Sequence, residues 1–213
     1  MDKIIEVENV SLTLDKKDIL KNVSISCEEG RIYGLVGRNG SGKTMLMKCI
    51  CGFIIPTSGK ISVLGKTIGK DIDFVPDAGI IIETPGFISG YSGFKNLMLL
   101  AMIRKKIGKE EIREAMIKVG LDPDLKLSVK KYSLGMRQRL GLAQAIMENP
   151  RVLILDEPMN GLDKEGVLDM RNYLLALKKE GKTILLTSHS TEDIDILCDK
   201  VYEMEHGECK FLN

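Results

Sequence analysis

Long apolar runs are missing from this chain of 213 residues. None approaches the ~20 residues that a membrane-spanning helix needs. Net charge is missing too: 31 Lys+Arg stand against 30 Asp+Glu, a formal +1. That balance gives no global pull toward nucleic acid or an acidic membrane, so no nucleic-acid partner is expected. Cysteine is scarce and shows no paired pattern. The five cysteines lie at 27, 49, 51, 198 and 209, and none form a C-x-x-C. Cys49 and Cys51 are two apart in an expected helix and point to different faces. Reduced, mostly buried thiols in a cytosolic protein are expected, not disulfides or a metal site. The stretch Met1-Asp2-Lys3-Ile4-Ile5-Glu6 carries an early acid and no long apolar core, unlike a signal peptide. What is present is ordinary for a globular protein: 44% hydrophobic and 29% charged residues. The length suits one large domain, or one domain with a subdomain. Eleven methionines are scattered and read mostly as core filling.

Gly37-Arg38-Asn39-Gly40-Ser41-Gly42-Lys43-Thr44 fits the phosphate-binding pattern G-x-x-x-x-G-K-[ST] without mismatch. Ile32 to Val36 reads as a buried strand entering the loop, and Met45 to Cys51 as a helix leaving it. Glycines let the backbone approach phosphates closely and adopt positive φ. Successive N–H groups then form an anion nest, to which a helix N-terminus adds partial positive charge. Lys43 would reach the β- and γ-phosphates and the Thr44 hydroxyl would ligate Mg²⁺. A glycine-rich turn matches these fixed positions by chance in roughly one such chain in a hundred. Mononucleotide binding is therefore the expectation.

Along the chain, residues 3–29 alternate as strands around a polar turn at Asp15 to Asp18. Lys60 to Leu64 is a further short strand, with loops at Gly65, Gly69 and Asp71. Ala78 to Ile82 is a short apolar run. From about 92 to 119 the period becomes helical, with one stripe at Phe94, Leu97, Leu100, Ala101 and Arg104 and another at Ile112, Ala115, Met116 and Val119. These helices form either an inserted subdomain or further core helices. After about 150, strands and helices alternate, which implies a parallel sheet covered by helices. Asp163 starts an amphipathic helix, and Ser190 with Asp193 resembles a capping box. The apolar strands at 32–36, 152–155 and 183–187 each deliver polar residues at their C-terminal ends, the edge where such sheets bind ligands.

Asp156 and Glu157 stand at one of those ends, and His189 at another. A carboxylate at position 156 can hold Mg²⁺, often through water. Glu157 beside it suits a group that positions or deprotonates a water for phosphoryl transfer. His189 could hydrogen-bond the γ-phosphate or the attacking water, or be a satisfied structural histidine. The acidic pair could equally cap a turn.

The order and spacing of these segments resemble the ATP-binding-cassette (ABC) ATPases over nearly the whole chain. Gly37 to Thr44 matches their Walker A motif, and Val152 to Pro158 matches Walker B with its catalytic glutamate. Asn160-Gly161-Leu162-Asp163 resembles the D-loop, and His189 the switch histidine. Tyr132-Ser133-Leu134-Gly135-Met136-Arg137-Gln138-Arg139 resembles the signature segment. The resemblance implies an α/β fold: a P-loop NTPase core with a mainly parallel sheet, an antiparallel β subdomain and an inserted α-helical subdomain. The core with its β subdomain would take residues 1–82 and 150–213, and the helical and signature part 83–135. It implies ATP and Mg²⁺ as ligands, and a head-to-tail dimer with a second cassette, identical or not. In that dimer Ser133 and Gly135 touch the γ-phosphate in trans, with Asp163 at the D-loop. It further implies a separately encoded transmembrane permease as partner, hence a cytoplasmic protein peripheral on the inner face of the membrane.

Three positions depart from the family pattern. Leu134 replaces the first signature glycine. Glu83 stands where a glutamine is usual; its carboxylate could still ligate the metal but adds negative charge beside a triphosphate. Leu14 stands where an aromatic stacks on adenine, leaving only apolar contact. Glu83-Thr84-Pro85-Gly86-Phe87, with Ser-Leu-Gly-Met, resembles the bacitracin- and lantibiotic-type exporter branch. Alternatives are a soluble ABC ATPase acting on a non-membrane partner and a low-turnover binding module. Lys126, Lys130 and Lys131 read as a partner contact or a solvated basic face.

Overall fold

A computed structural model describes residues 3–84 and 86–212. Met1, Asp2 and Pro85, which belong to two of the sequence segments above, lie outside it. Two sheets and six helices make up the described chain.

The first sheet is antiparallel, in the order β2-β1-β4-β5. Strands β1 (Lys3–Leu14) and β2 (Lys17–Glu28) form a long hairpin. β4 (Ser58–Val63) pairs on the other side of β1 and carries the two-residue β5 (Lys66–Thr67), where only loop was expected. In β1, Ile5 and Val7, then Val10 and Leu12, turn inward with a period of two, and an irregularity at Asn9 (φ 50) shifts the phase between the two pairs.

The second sheet runs β10-β9-β3-β8-β7-β6. β3 (Ile32–Val36), β6 (Ala78–Ile81), β7 (Val152–Leu155), β8 (Thr183–Leu186) and β9 (Lys200–Glu205) are parallel. β10 (Glu208–Phe211) closes the edge as a hairpin with β9. β7 and β8 are buried along their whole length, because both faces of the sheet are covered. Alternate residues serve different cores. Leu153, Leu155, Ile184 and Leu186 join the core beneath the helices α2 to α6. Val152, Ile154 and Leu185 join a second core with α1 (Lys43–Cys51) and the antiparallel sheet.

The helical run expected at 92–119 is two helices, α2 (Gly93–Arg104) and α3 (Lys109–Lys118). α2 ends at Lys105, which takes left-handed φ. α4 (Leu134–Ile146), α5 (Lys164–Lys179) and α6 (Thr191–Leu197) follow. α2, α4, α5 and α6 are capped by the side chains of Ser92, Ser133, Asp163 and Ser190, each accepting an otherwise unpaired N–H of the first turn. The box expected at Ser190 is half made. Ser190 Oγ accepts from the Asp193 amide, but the Asp193 carboxylate turns away to Arg171 and Ser188. Lys126, Lys130 and Lys131 are exposed around a 3-10 turn at Val129–Lys131.

Candidate active site

The loop 37–42 leaves the C-terminal end of β3 and runs directly into α1. Gly37 (φ 142) and Gly42 (φ 111) take backbone angles that side chains resist. A Cβ at Gly37 would stand 2.2 Å from the Met204 carbonyl oxygen, so only glycine fits there. β8, the strand next to β3, ends at Thr187, Ser188 and His189, and β7, one strand further on, presents Asp156 and Glu157.

Asn39, Gly40, Gly42, Lys43, Thr44, Asp156, Glu157 and His189 line one cavity of about 350 Å³. Ile19 and Met45 supply its apolar walls. Gly37 faces a neighbouring cavity that also reaches His189. Arg38 is exposed, and its carbonyl accepts from the Ser41 amide.

Polar groups in the cavity are tightly ordered. Thr44 Oγ1 donates to Asp156 Oδ2 at 2.8 Å. Thr187 Oγ1 donates to Asp156 Oδ1 at 2.8 Å and accepts from the Glu157 amide at 2.9 Å. One buried hydroxyl thus orients both acidic residues. Gln138, on α4, donates from Nε2 to the carbonyls of Glu157 and Pro158, 3.1 Å each. Glu157 itself has φ 51, the left-handed region. Its Oε1 lies 3.4 Å from His189 Nε2, longer than a normal hydrogen bond.

This donor set suits a polyphosphate with a divalent cation. Lys43 is buried, and its Nζ donates only to the carbonyls of Gly37 and Arg38. No carboxylate pairs with it among the described residues, so its charge is open to an anion. Ser41 Oγ and Glu157 Oε1 are buried without a hydrogen-bond partner among the described residues. The Thr44 hydroxyl and the Asp156 carboxylate already converge, as two oxygen donors to one hard cation must.

Four expected residues stand elsewhere. Glu83 does not line the cavity; it is 63% exposed and accepts from Lys48 Nζ at 2.7 Å. Lys48 lies one turn beyond Thr44 on α1 and supplies the cation that a carboxylate at this position requires. Ser133 and Asp163 cap α4 and α5, accepting from the Met136 and Gly166 amides. Gly135 sits against the Gly161 carbonyl, and the Leu134 side chain covers the Cα of Gly161. The signature segment and the 160–163 turn are therefore packed on one another within one chain, outside the cavity. Leu14 is exposed at the end of the β1–β2 hairpin, and the apolar wall comes from Ile19 instead. Ile19 belongs to the β2 segment that crosses Gly42, a pairing no local pattern reveals. No local pattern marks Lys48, Gln138 or Thr187 as site residues, although the last two lie inside the segments that carry the resemblance.

Residues 20–160 match the family described as ABC transporter. The chain belongs to this family, and it is an ATP-binding cassette with ATPase activity. An ABC transporter ATP-binding protein of Bacillus subtilis (strain 168), YybJ, is 46% identical over 96% of this chain and 94% of its own length. The bacitracin transport ATP-binding protein BcrA of Enterococcus faecalis is 39% identical, over 97% of this chain and 68% of its own. The lantibiotic transport ATP-binding protein SrtF of Streptococcus pyogenes is 35% identical, over 96% and 88%. Among solved structures, an ATP-binding subunit of an ABC transporter superposes with a TM-score of 0.87 at 25% identity, covering 98% of this chain and 90% of that one.

Proposed function

We propose that this chain is the ATPase subunit of an exporter, working on a separately encoded membrane permease. Two copies, or one copy and a different cassette, would close head to tail around two ATP. One observation carries this reading: Lys43, Thr44, Asp156, Glu157 and His189 converge on a single cavity at the C-terminal ends of three adjacent parallel strands.

Each residue then has a task. Backbone N–H groups of the loop Gly37 to Thr44, with Arg38, Asn39, Gly40, Ser41 and Gly42 between, cradle the phosphates, and Lys43 neutralises the β- and γ-phosphates. Thr44 and Asp156 would hold Mg²⁺, while Glu83 stays paired with Lys48. Mg²⁺, when bound, would supply positive charge against that of the phosphates. Glu157 positions and deprotonates the water, and His189 holds the γ-phosphate or that water. Ser133 and Gly135, at the start of α4, meet the γ-phosphate of the other protomer, since a helix N-terminus favours an anion. Asp163 stands at the adjoining turn.

Relatives named for bacitracin and lantibiotic transport support export of antimicrobial peptides as the substrate class. A groove of about 430 Å³ beside β6 and α2, with Phe53 and Ile103 51% and 77% exposed, suits a docking permease. No described helix is long and apolar enough to cross a membrane, so anchoring at the inner face would come from that partner. The test is the mass of Glu157→Gln protein by light scattering, with and without Mg-ATP. A dimer that forms only with ATP is expected. A monomer that still binds ATP would overturn the self-sufficient homodimer and require a different cassette or the permease.

A further inference from the structure

His189 is 56% exposed at its side chain, so little packing holds its ring. Its position must come from the backbone that carries it. That backbone is tied on both sides. Ahead of it, Thr187 is bonded to Asp156 and to the Glu157 amide. Around it, the Ser188 hydroxyl accepts from the Ser190 amide at 3.1 Å and donates to Asp193 Oδ2 at 2.7 Å. The other oxygen of Asp193 accepts from Arg171 Nε at 2.8 Å and from an Arg171 terminal nitrogen at 2.5 Å. Ser188, Asp193 and Arg171 are 9%, 3% and 8% exposed. A buried, fully bonded chain of polar groups therefore runs from α5 to the residues flanking His189.

We propose that Arg171 is a positioning residue for His189, acting through Asp193 and Ser188. The proposal rests on the reading of His189 as part of the hydrolytic site. Arg171 suits the task. Its planar guanidinium bonds the carboxylate from two nitrogens, which fixes direction as well as distance. It also reaches the exposed Glu192 at 2.9 Å, and hydrogen bonds to Glu192 and Asp193 raise its pKa further, so it stays charged. Arg171 lies on the helix whose N-cap is Asp163, about 12 Å along its axis. That cap follows Glu157 by one short turn. A displacement of α5 at its N-terminus is thereby passed to His189 by hydrogen bonds, without any contact between Asp163 and the histidine.

Only two histidines occur in the chain, which makes the test direct. His206 lies in the β9–β10 turn and serves as the internal reference. Full-length protein with ¹³C-labelled histidine would be studied by NMR at one fixed pH, as wild type, Ser188→Ala, Arg171→Met and Arg171→Lys. Steady-state ATP turnover would be measured alongside. Ser188→Ala and Arg171→Met should move the His189 ring signal and leave His206 in place. They should lower kcat by about tenfold or more, the scale of a misplaced acid–base group, with KM for ATP held within about twofold. Arg171→Lys should recover part of both effects. Ser188→Ala keeps the charged pair intact and decides the matter if Arg171→Met does not fold. A His189 signal that stays put in folded Ser188→Ala protein would overturn the proposal, even if turnover fell. His189→Ala separates the two readings: unchanged turnover there would remove His189 from the hydrolytic site, while the NMR signal would still report whether Arg171 fixes its ring.

Discussion

Replacing Thr187 with valine removes one hydroxyl and keeps the shape of the side chain. Thr187 is 0% exposed, so water cannot take the place of that hydroxyl. Two bonds go with it, the 2.8 Å donation to Asp156 and the 2.9 Å acceptance from the Glu157 amide. A hydrogen bond to a carboxylate contributes about 1.5–3 kcal/mol, and an orphaned buried N–H costs about 1–3 kcal/mol. Asp156 keeps its bond from Thr44, so the sum is taken at about 3–5 kcal/mol. For 213 residues the unfolding entropy near the melting point is about 0.45 kcal/mol/K, which turns that loss into a fall of about 7–11 °C in Tm. Thr187→Ser keeps both bonds and loses a methyl, about 0.5–1.5 kcal/mol. Urea unfolding followed by far-ultraviolet circular dichroism, with ATP turnover on the same samples, would compare the two variants. Thr187→Val should be clearly the less stable and lose turnover. If it unfolded within about 1 kcal/mol of wild type, the hydroxyl could not be the hub that orients the two acids.

Lys48→Gln should change stability by less than about 1 kcal/mol, because its partner Glu83 is 63% exposed. It should weaken ATP binding by leaving Glu83 uncompensated, and adding Glu83→Gln should restore the affinity; calorimetric titration would read both. Gly79→Ala places a Cβ 2.0 Å from the Ala145 carbonyl oxygen, where α4 crosses β6, and should lower the urea midpoint by the equivalent of about 1–3 kcal/mol. Burial pushes the thiols of Cys49 and Cys209 up to about 11 and of Cys51 and Cys198 up to about 12, from an ordinary 9.0. Folding therefore favours the protonated thiols. Their contribution is complete below pH 9 and is lost as pH rises toward 11 and 12, so the urea midpoint should fall between pH 8 and pH 10.

The parallel strands were legible because their apolar runs are short, unbroken and followed by polar residues, as at Val152 to Asp156. The phosphate loop was legible because its glycines and Lys43 are local in sequence. What was not legible depends on contacts between distant segments. Ile19 reaches the cavity only because β2 passes over the loop, and Leu14 leaves it because the hairpin continues past that point. Glu83 accepts from Lys48, 35 residues away in sequence, which its own segment does not reveal. The side chain of Gln138 finds the Glu157 carbonyl only after α4 packs on β6, the strand next to β7. Period and propensity describe one element at a time, and these pairings belong to the packing of several.

Glu157 stands in the left-handed region, with φ 51. A residue with a side chain held there costs the fold about 1–3 kcal/mol. A sequence chosen for folding alone would place glycine or asparagine at 157 and gain that stability. The glutamate thus sits uphill of its own backbone. Selections for thermostability that do not also demand turnover should drift away from it, and would return a sturdier but idle protein.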